Sequence, residues 1–158
     1  MTSQLTRICL FITLCSSFNL YAANTLTFVN PWIPEAPPGA KVMAGYMEIH
    51  NHSQNKIDII SISSDAFAHV EMHRSADTNG FAKMLPQKKL SIPANDKLIL
   101  QSGSYHLMLI KPKKWLKHGE SLKLKFTLSN KKTQSVDINI KKNSTRTMKC
   151  AVGKCGAQ

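Results

Sequence analysis

The segment Tyr105-His106-Leu107-Met108-Leu109-Ile110 sets a histidine and a methionine two residues apart in a run that reads as a β-strand. Residues i and i+2 of a strand share a face. Imidazole and thioether therefore stand side by side, while Leu107 points the other way, towards a core. A second pair lies upstream. His73 ends the short run Ala68–His73, and Met84 follows the turn signal Asn79-Gly80, which folds the chain back towards His73. Thioether sulfur is a soft donor that selects Cu(I), and imidazole also suits copper. Two neutral imidazoles and two neutral thioethers add no negative charge, so a bound Cu(I) keeps its +1. Such a set disfavours hard Mg or Ca and offers Zn neither thiolate nor carboxylate. Coordination needs unprotonated imidazole, so protons compete with the metal in mild acid, near the ordinary histidine value of about 6.5. A lone Met on a strand is usually core filler. Met43 and Met47 are read that way, and His50, His52, His69 and His118 as surface or satisfied core residues.

The elements that must position these groups are strands. Period-2 alternation marks Thr25–Val29, Val42–His50, Lys56–Ile62, Ala68–His73, Leu90–Ile92, Lys97–Gln101, Tyr105–Ile110, Leu122–Leu128 and Val136–Ile140. The breaks between them carry turn residues, among them Pro37-Pro38-Gly39, Pro93-Ala94-Asn95-Asp96 and Ser102-Gly103-Ser104. Eight or nine strands about ten residues apart predict an all-β domain, a two-sheet sandwich or a Greek-key barrel. No long helix and no internal repeat stands out.

The ends of the chain read differently. Residues 1–23 have a polar start with Arg7, an apolar stretch from Ile8 to Leu14, and small residues at Ala22-Ala23. This is the pattern of a cleaved secretory signal, and the stretch is short of the ~20 residues that span a bilayer. Ile8 and Leu14 are too bulky before Cys9 and Cys15 for a lipid-attachment signal. The expected domain is residues 24–142, followed by a tail, 143–158, with Met148, Cys150 and Cys155. In an oxidising compartment the two tail cysteines would pair as a disulfide, with an auxiliary copper or thiol-exchange site as the alternative. The chain of 158 residues carries 21 Lys+Arg against 9 Asp+Glu, a formal charge of +12. Removing the leader takes Arg7 with it and leaves +11. Export argues against nucleic acid as the partner of that charge, and docking to an acidic partner or anionic surface fits it better.

The four candidate ligands have a family precedent. The spacing His73, ten residues, Met84, twenty-one residues, His106, one residue, Met108 resembles the H-x10-M-x21-H-x-M signature of the PCuAC family of periplasmic copper chaperones. Ala44-Gly45-Tyr46 with Asn51, Gly103–Leu109 and Leu116–Glu120 are similar to further segments of that family, so the likeness covers about residues 25–141. The resemblance implies a cupredoxin-like Greek-key β-sandwich or barrel that binds one Cu(I) through His73, Met84, His106 and Met108. It also implies delivery of copper to the binuclear centre of a haem–copper oxidase, that is, a role in cytochrome c oxidase assembly. The chain departs from the pattern after Trp32, where Ile33 stands in place of the usual Arg, and Trp32 is not counted as a ligand. Arg74 follows His73 where the family sometimes has Met. Met72 precedes His73 and points to the core.

Three function classes can be weighed. A monomeric periplasmic Cu(I) metallochaperone, handing copper to an oxidase subunit or another copper or thiol protein without inserting in the membrane, fits best. Neutral ligands hold Cu(I) without the thiolate bonds that would slow release, and that favours delivery over storage or resistance. An electron-transfer cupredoxin needs a Cys ligand near the last His and Met, and Cys150 lies over forty residues later. An enzyme is not expected, because no Ser-His-Asp grouping, Cys-His pair or paired carboxylates stands out.

Overall fold

The computed structural model describes residues 26–78 and 81–142. The expected leader (residues 1–23) and tail, with Cys150 and Cys155, lie outside the described residues. Ten strands form: β1 Leu26–Pro34, β2 Val42–Asn51, β3 Ile57–Ser63, β4 Phe67–Thr78, β5 Phe81–Pro86, β6 Leu90–Ile92, β7 Lys97–Leu100, β8 Tyr105–Pro112, β9 Ser121–Leu128 and β10 Thr133–Lys141. There is no helix among the described residues. The all-β barrel is as expected, and the described residues form ten strands, one more than the nine read from the sequence. The unforeseen one is β5, whose residues Lys83 to Pro86 are all exposed, so it carries no alternation to read.

Eight strands close a barrel in the order β4-β8-β7-β2-β1-β10-β9-β3, and the Ile62–Val70 pairing of β3 with β4 completes the ring. β5 and β6 hang on the outer edges of β4 and β3. The cause is the alternation along each strand. In β9, Leu124, Phe126 and Leu128 are buried while Lys123 and Lys125 face water. In β2, Met43, Gly45, Met47 and Ile49 are buried, and Ala44, Tyr46 and Glu48, which alternate with them, are half-buried on the other face. Each fully buried Leu, Ile or Phe contributes about 1.5–3 kcal/mol relative to leaving it in water.

Two details shape the wall that matters for function. Gly45 of β2 lies opposite Leu107 of β8, and a Cβ there would stand 3.3 Å from the Leu107 Cβ. Glycine thus lets the two strands approach closely. In β1, a bulge between Val29 and Trp32 has Asn30 at φ 50°, a conformation that asparagine tolerates. The bulge sets Trp32 opposite Tyr46, with the two rings 5.1 Å apart.

Candidate metal centre

The candidate ligands lie on the outer face of the wall made by β4 and β8. His73 and His106 are direct cross-strand partners, with ring centroids 6.0 Å apart. Met108 follows His106 on the same face, opposite Glu71. The β4–β5 hairpin places Met84 opposite Ser75, two residues beyond His73 and on its face. Leu107 and Met72 point inwards and are buried, as their strand parity requires. Met43 and Met47 are core residues. His52, His69 and His118 are exposed, and His50 is engaged by Glu48 at 3.1 Å.

The two imidazoles are buried, at 7% and 6% exposure. Each has one nitrogen tied and one left over. Glu71 Oε2 lies 2.8 Å from His73 Nε2. A carboxylate only accepts, so the shared proton sits on Nε2. The Ser104 carbonyl lies 3.1 Å from His106 Nδ1 and likewise accepts. This leaves lone pairs on His73 Nδ1 and His106 Nε2, both buried and both without a hydrogen-bond partner. An unpaired buried nitrogen costs free energy, and two of them on facing side chains fit a bound metal ion. Met84, His106 and Met108 line an open depression of ≈ 570 Å³ with Ala44, Tyr46, Ser75 and Gly103. Met84 is 54% exposed and His106 is 6% exposed, so this thioether is open to solvent and the imidazole is not; His73 is not among the residues that line the depression. Among the described residues, no group of three or more His, Cys, Asp or Glu is placed to hold a metal. The donor set is therefore soft and neutral rather than acidic.

Sequence reasoning did not single out Glu71 or the Ser104 carbonyl. The signal for Glu71 was present, since Glu71-Met72-His73 puts carboxylate and imidazole on one strand face. Metal-binding imidazoles commonly hand their second nitrogen to such an acceptor. Trp32 does not line the depression but packs on Tyr46, which does.

Strand order, closure and this wall define a cupredoxin-like β-barrel with a cluster of imidazole and thioether donors on its surface. The chain belongs to the LpqE-like family, whose model, "Putative lipoprotein LpqE-like", matches residues 26–140. It is 27% identical over 125 residues to protein RP573 of Rickettsia prowazekii, spanning 77% of this chain and 69% of that one. Among solved structures it is similar to the copper-bound PCuAC domain from PmoF2, with a TM-score of 0.64 and 16% identity over 77% of this chain and 97% of that domain. That likeness shows the fold. It is also similar to CuI-DR1885 from Deinococcus radiodurans, with a TM-score of 0.58 and 25% identity over 78% and 85% of the two chains.

Proposed function

We propose that this protein is a Cu(I) carrier that acts outside the cytoplasm and binds one copper ion through His73, Met84, His106 and Met108. The observation that carries the proposal is the pair of partnerless buried nitrogens, His73 Nδ1 and His106 Nε2, beside two thioethers. Similar domains solved with copper, from PmoF2 and D. radiodurans, support it. Copper is the cargo here. It would enter and leave past Met84, the exposed ligand, while the imidazoles keep their orientation through Glu71 and Ser104. Neutral donors bind Cu(I) without a thiolate, and that favours hand-over to an acceptor with better ligands. The resemblance to PCuAC chaperones makes the binuclear copper centre of a haem–copper oxidase the proposed recipient. The lipoprotein name of the family supports export, and with the leader-like residues 1–23 it favours the periplasm.

An electron-transfer role is disfavoured, because the described residues contain no cysteine to complete a blue-copper site. No catalytic step is proposed. The test is a Cu(I) titration against a colorimetric chelator, for the native chain and for a Met84→Ala, Met108→Ala double variant. One equivalent bound by the native chain, with weaker binding in the variant, is expected. Equal affinity in both would remove the methionines from the site.

A further inference from the structure

The end of β8 away from His106 carries a feature that copper binding does not use. β8 runs from His106 at one end to Lys111 and Pro112 at the other, and the chain continues as Lys113-Lys114-Trp115-Leu116-Lys117. Leu116 is 3% exposed and anchors this segment in the core. The Lys111 N–H donates to Lys41 O at 2.8 Å, and the Lys113 N–H to Ala66 O at 2.9 Å. The Trp115 Nε1–H donates to Ala36 O at 3.1 Å. The indole's one polar group is therefore satisfied, yet the side chain is 46% exposed. Lys117 Nζ stands 4.8 Å from the ring centroid. Beside it lies a cleft of ≈ 310 Å³, with Met43, Pro112 and Leu116 among its apolar lining and Lys41, Lys111 and Lys114 at its rim. No acid lines this cleft. Glu35, Asp65 and Glu120 lie on neighbouring turns, and Glu120 is held by Lys114 at 2.9 Å. Lys41, Lys111 and Lys113 have no carboxylate within 4.0 Å among the described residues.

We propose that this Lys–Trp pole docks the protein on an anionic phospholipid surface. An exposed indole with a satisfied N–H, ringed by lysines, has the chemistry of a membrane interface. The ring lies at the headgroup level, the lysine stems follow apolar surface, and the ammonium groups meet phosphate. The turns are fixed by backbone hydrogen bonds before contact, so little ordering is lost on docking. The chain leaves β10 at this same pole, because β10 runs parallel to β1 and pairs Lys141 with Pro34.

The ten strands of the described residues lie between residues 26 and 141, so a chain of residues 24–158 keeps the whole barrel and omits the apolar leader. Its binding to vesicles of phosphatidylglycerol with phosphatidylcholine is compared with its binding to phosphatidylcholine alone. A Trp32→Phe background leaves Trp115 as the single indole. Docking predicts sedimentation with the anionic vesicles only, loss of binding as salt rises, and a blue shift of Trp115 emission. Substituting Lys41, Lys111 and Lys113 by Gln should weaken binding by about 100-fold at low salt, at about fivefold per lysine, with the unfolding midpoint unchanged. Equal binding to both vesicle types, or binding without a Trp115 shift, overturns the proposal. So does polyglutamate capturing the protein as well as anionic vesicles do, since the pole would then serve acidic polypeptides.

Discussion

Replacing Glu71 by Ala tests how the buried imidazoles are held. The Glu71–His73 contact, at 2.8 Å, is a hydrogen bond to a charged acceptor, a class worth about 1.5–3 kcal/mol. The Glu71 side chain is 49% exposed, so solvent screens it and the lower end, about 1.5 kcal/mol, applies. His73 is itself buried, and without Glu71 its ring loses the one hydrogen bond that fixes its orientation. If that contribution is realised when copper binds, Cu(I) affinity falls about tenfold, at the low end of what lost outer-shell partners cost metal sites. Glu71→Gln keeps an acceptor oxygen without the charge and should fall between the two, at about threefold. The assay is competition with a colorimetric Cu(I) chelator, with thermal unfolding of the copper-free proteins alongside. Affinity in Glu71→Ala within about twofold of native, at an unchanged melting temperature, would refute the reasoning.

Other outcomes follow from the same geometry. In the copper-free protein, nitrogen-15 NMR of the imidazoles should find His106 protonated on Nδ1 and His73 on Nε2, and the opposite assignment for His106 would break the Ser104 contact. Gly45→Ala places a Cβ 3.3 Å from Leu107 Cβ and should destabilise the barrel by about 1 kcal/mol, read as a melting temperature about 4 °C lower; no change would mean that β2 and β8 can part without cost. The Lys89 hydrogen bond, then that of Ser91, with Lys56 adding attraction, holds the Asp58 carboxyl below its ordinary value. A depressed folded value stabilises the fold above the ordinary carboxylate range, and that contribution is lost as pH falls through the folded value. Asp58→Asn should therefore flatten the loss of stability below about pH 4, and an acid limb as steep as native would exclude this carboxyl as a cause. Cu(I) affinity should fall on acidification, because coordination needs unprotonated imidazole, and a flat profile would argue against histidine ligation.

Much of the fold could be read from alternation, because most barrel strands bury one face. Ile57 to Ile62, Leu122 to Leu128 and Tyr105 to Ile110 announced β3, β9 and β8 this way. β5 could not be read, since it is an edge strand whose outer residues are all exposed and which ends at Pro86. The far half of β4 was hidden for the same reason, since it leaves the barrel wall to pair with β5. The four candidate ligands were legible because i, i+2 spacing fixes a shared face and a two-residue turn fixes the return of a hairpin. The direct opposition of His73 and His106 was not, because register between strands distant in sequence depends on the closed barrel. Strand parity puts Glu71 on the face of His73, but the 2.8 Å contact between them depends on side-chain rotamers that a sequence does not specify.

The central claim is that copper sits between two imidazoles and two thioethers. X-ray absorption of Cu(I)-loaded residues 24–158, with Cys150→Ser and Cys155→Ser so that no cysteine is left and any sulfur belongs to methionine, tests it most directly. Two nitrogen and two sulfur neighbours are predicted, reduced to nitrogen alone in Met84→Ala, Met108→Ala. A first shell without sulfur in the parent, or a sulfur shell that survives loss of both methionines, would contradict the account.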